Sequence, residues 1–183
     1  MSDHFADHQR VVAAAADQIP TLECIADRIV SCFRAGGRLY VFGNGGSAAD
    51  AQHIAAEFVG RFKRDRRALP AIALTTDTSV LTAVCNDTGI EQCFARQVDA
   101  LVTASDVVWA LSVSGRSPNV IRAMERARDI DACRIGFTGR TGDPLAALCD
   151  HCFRADHESS DRVQEVHQLA YHVVCERVEA ACG

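Results

Sequence analysis

The sequence lacks several features that would each point to a class of protein. No stretch approaches the roughly 18 consecutive apolar residues that a membrane-spanning helix needs. The first ten residues, Met1 to Arg10, are polar and charged, without the apolar centre of a secretion signal. There is no basic run, and 19 Lys and Arg stand against 24 Asp and Glu for a net charge of −5, which disfavours nucleic-acid binding through phosphate neutralisation. No internal repeat, low-complexity segment or Pro/Gly/Ser-rich linker interrupts the chain. Together these absences predict a soluble, cytoplasmic protein with neither a membrane nor a nucleic acid as partner.

What is present is ordinary in bulk. The chain has 183 residues, 48 % apolar and 23 % charged, which fits one folded domain spanning residues 1–183 rather than a disordered chain. Nine cysteines are the exception. An odd number cannot all pair internally, and the spacing matches no disulfide framework. Cys149-Asp-His-Cys152 is half of a zinc-ribbon signature with no second CxxC to complete it. Small buried hydrophobes is the main reading for the cysteines; a metal or redox role for Cys149 and Cys152 is the alternative.

Short apolar runs alternate with helical stretches. Residues 5–18 look helical, and a second helix starts near Pro20 and ends at Gly36-Gly37, with Leu22, Ile25, Ala26, Ile29, Val30 and Phe33 at helical spacing. Five apolar runs follow at 38–42, 70–74, 107–111, 133–137 and 151–154, separated by helical stretches near 47–62, 79–86 with 91–102, and 118–129. A long helix over 160–181 closes the chain. Continuously apolar runs between helices predict a doubly wound, flavodoxin-like α/β fold with a five-stranded parallel sheet flanked by helices. In such folds ligands bind beyond the carboxyl ends of the strands, where strand order reverses.

Two strand-end loops therefore matter. Gly43-Asn44-Gly45-Gly46-Ser47 leads directly into a helix, whose N-terminus offers free N–H groups. It is neither GxGxxG nor a Walker loop, so dinucleotides and nucleoside triphosphates are disfavoured; a plain tight turn is the alternative. Ser112-Val113-Ser114-Gly115-Arg116-Ser117-Pro118-Asn119 sets three serines around a glycine just before another helix, a donor set suited to a phosphate monoester. Ser117 also reads as a helix N-cap with Pro118 in the first turn, and the two roles are compatible.

Two helices carry polar side chains at ligand spacing. His53 and Glu57 lie four residues apart, on one face and able to share a metal ion or a proton. The last helix carries Asp161, Gln164, Glu165, His167, Gln168 and His172. Gln164 and His172 are separated by about 12 Å along the axis and roughly 80° around it, so one ion reaches both only if the side chains lean together. Gln168 with His172 is the easier pair, and His167 points away from His172. A merely solvated face is the alternative.

Taken together, the string Gly43 to Arg61 (GNGGSAADAQHIAAEFVGR), with Asn86-Asp87-Thr-Gly-Ile-Glu91, the serine loop 112–117 and Asp161 to His172 in order, resembles the phosphoheptose isomerases, a branch of the sugar-isomerase (SIS) domain proteins. The resemblance covers nearly the whole chain. It implies a five-stranded SIS fold, a homotetramer with active sites between subunits, and interconversion of sedoheptulose 7-phosphate with glycero-manno-heptose 7-phosphate, the first step toward nucleotide-activated heptose. It further implies that Asn44, Gly45 and Gly46 contact substrate and that Asn86 and Asp87 bind sugar hydroxyls. Ser112, Val113, Ser114 and Ser117 would hold the phosphate. His53, Glu57, Gln164 and His172 would ligate one zinc ion per subunit. Glu57 and Gln164 thus belong to the substrate-binding set as well. Val113 stands where family loops commonly have Thr, and Arg116 where they have a small polar residue.

Aldose–ketose isomerisation moves a proton between C1 and C2 through a cis-enediol, which needs a base, an acid and charge stabilisation at the oxygens. Glu57 is the expected base and His172 the expected acid, with Asp161 as substitute acid/base or as an orienter of His172. Glu57 as both tight ligand and free base requires a compromise. Two other readings stay open: a non-catalytic SIS module acting as sugar-phosphate sensor or adaptor, of the kind that assists the bacterial replication initiator, and isomerisation of another sugar phosphate. Non-catalytic relatives can dispense with the quartet His53, Glu57, Gln164 and His172. The absence of an appended regulatory domain disfavours the arabinose-phosphate isomerases.

Overall fold

A computed structural model describes residues 2–183 of the chain. Five strands form one sheet: β1 (Leu39–Gly43), β2 (Ala71–Ala73), β3 (Val107–Ser112), β4 (Cys133–Gly139) and β5 (His151–Ala155). All pairings are parallel and the order is β2-β1-β3-β4-β5, the doubly wound arrangement that the alternating runs predict. The helices are α1 (Ser2–Ala15), α2 (Ile19–Arg34), α3 (Gly46–Val59), α4 (Thr78–Thr88), α5 (Ala95–Leu101), α6 (Pro118–Asp129), α7 (Asp143–Ala146) and α8 (Ser160–Cys182). The apolar runs at 38–42, 107–111 and 151–154 fall within a residue or two of β1, β3 and β5. The expected helix over 5–18 instead starts at Ser2 and ends in a short 3₁₀ turn (Ala16–Gln18).

The strands read as continuous apolar runs because the sheet is covered on both faces. β1 and β3 are buried at every position. Alternate residues of β3 divide between two cores: Val107, Trp109 and Leu111 pack with α2, α3 and α8, while Val108 and Ala110 pack with α5 and α6. Trp109, Phe137 and Phe153 pack edge-to-face and tilted across β3, β4 and β5 with ring centroids 4.8 and 4.9 Å apart. At roughly 25 cal/mol per Å², burying the 150–250 Å² of each such side chain contributes about 4–6 kcal/mol. β2 is a short edge strand whose Ile72 faces outward. Among the described residues no helix is long and apolar enough to cross a membrane.

Strand order reverses between β1 and β3. The loops leaving these two strands open side by side, and α8 crosses beside them. That junction positions everything described next.

Candidate active site

At the end of β1 the chain turns into α3 through Gly45, whose φ of 55° is a conformation that an L side chain rarely adopts. A Cβ on Gly46 would meet the Gln164 amide of α8 at 2.5–2.8 Å, so the bare backbone lets α8 close against the N-terminus of α3. In the β3 loop Gly115 has φ 61°, and a Cβ there would strike the Gly142 backbone at 2.5 Å. Ser117 occupies the N-cap of α6 with Pro118 in the first turn, yet its side chain makes no capping bond. Its hydroxyl lies instead 3.3 Å from that of Ser112. Ser117 thus holds the N-cap position while its hydroxyl is turned toward the loop.

A cavity of about 310 Å³ lies between these loops, lined by Asn44, Ser47, Ser112, Val113, Ser114, Ser117, Ser160 and Gln164. The N-termini of α3, α6 and α8 all border it, so unpaired N–H groups and three helix dipoles favour an anion there. Larger hollows exist. One of about 750 Å³ sits at the amino ends of β3 and β4, lined by Arg28, Cys32, Asp106, Cys133, Arg134 and others, and one of about 670 Å³ lies along β2 and α5. The first lies at the amino ends of the strands and the second at the edge strand β2, so the smaller cavity at the switch point, beyond the carboxyl ends of β1 and β3, is the better site. Asn44 is held by a reciprocal amide pair with Asn119 of α6, 2.8 Å in each direction.

Further along the same two helices, α3 and α8 bring His53, Glu57 and His172 together. Among the described residues they are the one His/Cys/Asp/Glu trio whose ligand atoms converge, all within 4.8 Å of one another. His53 Nε2 lies 2.9 Å from Glu57 Oε1 and 3.5 Å from His172 Nε2. Burial, with His53 nearby, pushes His172 below the usual histidine range, which favours the neutral imidazole that a metal ion binds. Phe62 covers the His172 ring at a centroid distance of 5.3 Å. Behind His53 stands the fully buried Tyr171, its hydroxyl 3.0 Å from His53 Nδ1 and 3.5 Å from Asp50 Oδ1. Burial drives the Asp50 carboxyl up to about 6, against the lowering effect of the Tyr171 hydroxyl.

The Phe62 loop is tied down from α8. Glu179, 1 % exposed, accepts backbone N–H bonds from Phe62, Lys63 and Arg64 at 2.8–2.9 Å and pairs with buried Arg66. Arg66 in turn donates to the carbonyls of Glu57, Phe58 and Gly60 at the end of α3. Burial alone would raise the Glu179 carboxyl; the three N–H groups outweigh it and hold it low.

The other residues singled out fall as follows. Gln164 lines the cavity, against Gly46. Asn86 and Asp87 are exposed on α4, a helix with no buried residue, and bond to each other at 2.8 Å. Exposed Asp161 is bonded by Ser159, which lowers its carboxyl to about 2 and makes it a poor proton donor. Gln168 is exposed and Arg116 faces solvent. His167 is fully buried, bonded to the Thr138 carbonyl at 3.1 Å and away from the trio. Cys149 and Cys152 are half-buried beneath Gly136 and form no converging ligand set with a third residue among those described. Sequence reasoning missed Asn119, Tyr171, Phe62 and Glu179. Asn119 ends the serine loop and Phe62 follows the matched string; Tyr171 and Glu179 read as ordinary helix positions and carried no signal.

Comparison with known proteins gives the family. The SIS domain profile matches residues 3–139. The chain is 55 % identical over 162 residues to a phosphoheptose isomerase of Roseiflexus sp., covering 88 % of this chain and 82 % of the relative. It is 47 % identical to a phosphoheptose isomerase of Bradyrhizobium sp. (strain BTAi1) over 99 % of this chain and 93 % of the relative. The solved phosphoheptose isomerase of Neisseria gonorrhoeae superposes with a TM-score of 0.93 at 39 % identity, covering 98 % of this chain and 96 % of that one. The chain belongs to the phosphoheptose isomerase family of SIS-domain proteins.

Proposed function

We propose that the chain is an aldose–ketose isomerase converting sedoheptulose 7-phosphate to D-glycero-D-manno-heptose 7-phosphate, as a cytoplasmic homotetramer with active sites between subunits. The observation that carries the reading is the His53–Glu57–His172 trio on the two helices that border an anion-suited cavity at the strand switch point. The hydroxyls of Ser112, Ser114 and Ser117, the Val113 backbone and the α6 N-terminus hold the phosphate. Asn44, Gly45 and Gly46 bind the sugar chain, with Asn44 held in place by Asn119.

The donor set fits a zinc ion: two imidazoles and a carboxylate oxygen converge, and Gln164, which lines the cavity on the same helix as His172, would add a fourth, weaker oxygen. His53, Glu57, Gln164 and His172 would hold one zinc ion per subunit, which would supply Lewis-acid polarisation of the carbonyl, worth several kcal/mol. Glu57 removes the proton from the carbon acid. One of its oxygens is engaged toward His53, which leaves the other for the substrate. His172 delivers the proton to the developing alkoxide. Its neutral imidazole still carries one N–H, and the Phe62 ring packs against it. Asp161 stays ionised and has no acid role. Asn86 and Asp87, exposed on a helix with no buried side, suit contact with the sugar bound by a neighbouring subunit.

The test is to incubate zinc-loaded protein with sedoheptulose 7-phosphate and follow aldose formation by NMR, with and without chelator. Conversion that chelation abolishes and zinc restores is the expected result. No conversion under any metal condition overturns the reading in favour of a sugar-phosphate sensor.

A further inference from the structure

Tyr171 precedes His172 on α8 but serves the other histidine. Its ring is fully buried and meets the His53 ring edge-on, with centroids 5.4 Å apart at 72°. Its hydroxyl oxygen stands between His53 Nδ1, at 3.0 Å, and Asp50 Oδ1, at 3.5 Å. Asp50 and His53 lie three residues apart on α3, so this single hydroxyl from α8 bridges one turn of the facing helix.

We propose that Tyr171 and Asp50 are positioning residues that fix the tautomer and ring orientation of His53, so that its Nε2 is free to bind the metal ion; this rests on the metal-binding reading above. A hydroxyl has one proton. An ionised carboxylate only accepts, so that proton goes to Asp50, and the Tyr171 oxygen then accepts Nδ1–H from His53. With its proton on Nδ1, His53 presents a bare Nε2 to Glu57 Oε1 at 2.9 Å and to His172 Nε2 at 3.5 Å. Lone pairs facing one another at that range need a cation between them. The opposite tautomer would place the proton between Nε2 and Glu57 and turn the hydroxyl toward Nδ1. Asp50 opposes that exchange. Its Oδ2 is already buried without a partner, and losing the hydroxyl would leave the whole carboxylate unpaired. Metal-binding histidines elsewhere donate their second ring N–H to a carboxylate or carbonyl directly. Here a tyrosine from another helix is inserted, which also ties the α8 backbone next to His172 to the α3 ligand.

The test measures zinc affinity by competition with a chromophoric chelator on metal-free wild type, Tyr171→Phe and Asp50→Ala, alongside thermal unfolding of each metal-free protein. Tyr171→Phe should raise the zinc Kd by about 10- to 100-fold, the range seen when such partners are removed. Asp50→Ala frees the hydroxyl to turn toward Nδ1 and should weaken zinc binding by about 10-fold or more. A purely structural role would lower the melting temperature and leave the Kd of the folded variant unmoved. Unchanged zinc affinity in Asp50→Ala, or in folded Tyr171→Phe, overturns the relay. Should Tyr171→Phe fail to fold, Asp50→Ala decides alone. If wild type itself takes up no zinc, the metal-binding reading fails and the relay with it, an outcome distinct from equal binding by all three proteins.

Discussion

Helix α8 carries two histidines five residues apart whose surroundings are opposite. That spacing turns them about 140° from each other. His167 faces the sheet, with Phe137 and Phe153 against its ring and its Nε2 on the Thr138 carbonyl. His172 faces α3 and the open site, with His53 and Phe62 as ring neighbours. Both are held below the usual histidine range, His167 by burial alone, down to about 4, and His172 by burial together with the neighbouring His53. A lowered histidine is therefore not in itself a mark of function. What separates the two is company: His167 is enclosed by apolar rings and one carbonyl, whereas His172 converges with two further ligand atoms. Substitutions should divide the residues along that line.

The largest effect falls on the open side. Glu57→Gln keeps the shape of the side chain but removes the base, and turnover should drop by 10²- to 10⁴-fold with the melting temperature nearly unchanged. His172→Asn should likewise lose at least about 10²-fold, while His167→Gln retains most activity because it touches neither substrate nor trio. Steady-state kinetics on purified, folded variants checks all three. Near-normal turnover in Glu57→Gln would remove the base assignment, and a His167→Gln loss as deep as that of His172→Asn would erase the contrast.

The closed side should show itself in stability. His167 titrates near 6.5 when unfolded and near 4 when folded, so its neutral form is favoured by folding. Above pH 6.5 both states are neutral and the contribution is complete. As pH falls from 6.5 toward 4, the unfolded chain takes a proton that the native chain refuses, and stability is lost by up to about 3 kcal/mol. Asp50 acts with the opposite sign between about 3.8 and 6, because its raised carboxyl binds a proton more readily when folded. The difference between wild type and His167→Gln isolates the histidine. Urea unfolding at pH 7 and pH 4 should show a steeper acid loss for wild type than for the variant. Equal slopes would mean that His167 takes up its proton without unfolding.

The same contrast explains how much of the molecule is legible in the sequence. Strands were legible because a parallel sheet covered on both faces leaves unbroken apolar runs, as in Val107 to Leu111. Helix starts were legible where local chemistry marks them, as at Pro118, the first residue of α6. The four-residue α7 carries too short a pattern to register. Within the site, His53 and Glu57 were readable from spacing along one helix, and the serine loop from its strand-to-helix position. Tyr171 on His53, Asn119 on Asn44 and Glu179 on the 62–64 backbone span 75 to 118 positions of sequence. Such contacts are set by how helices pack against each other, and no local pattern announces them.

The smallest expected effect lies in the phosphate loop, where the comparison moves from histidines to serines. Ser112 is buried and its hydroxyl already faces that of Ser117, whereas Ser114 is exposed and only weakly engaged by the Arg116 N–H at 3.3 Å. Ser114→Ala thus leaves no buried group unsatisfied and should not lower the melting temperature. It removes one donor to the phosphate, worth about 1 kcal/mol, so KM for the sugar phosphate should rise roughly fivefold with kcat nearly constant. The split between the two constants is the informative quantity. Phosphate binding is made equally in ground and transition states, so its loss appears in KM, whereas loss of the Glu57 base appears in kcat. A Ser114→Ala variant that lost kcat at constant KM would place this hydroxyl with the reacting atoms rather than the phosphate.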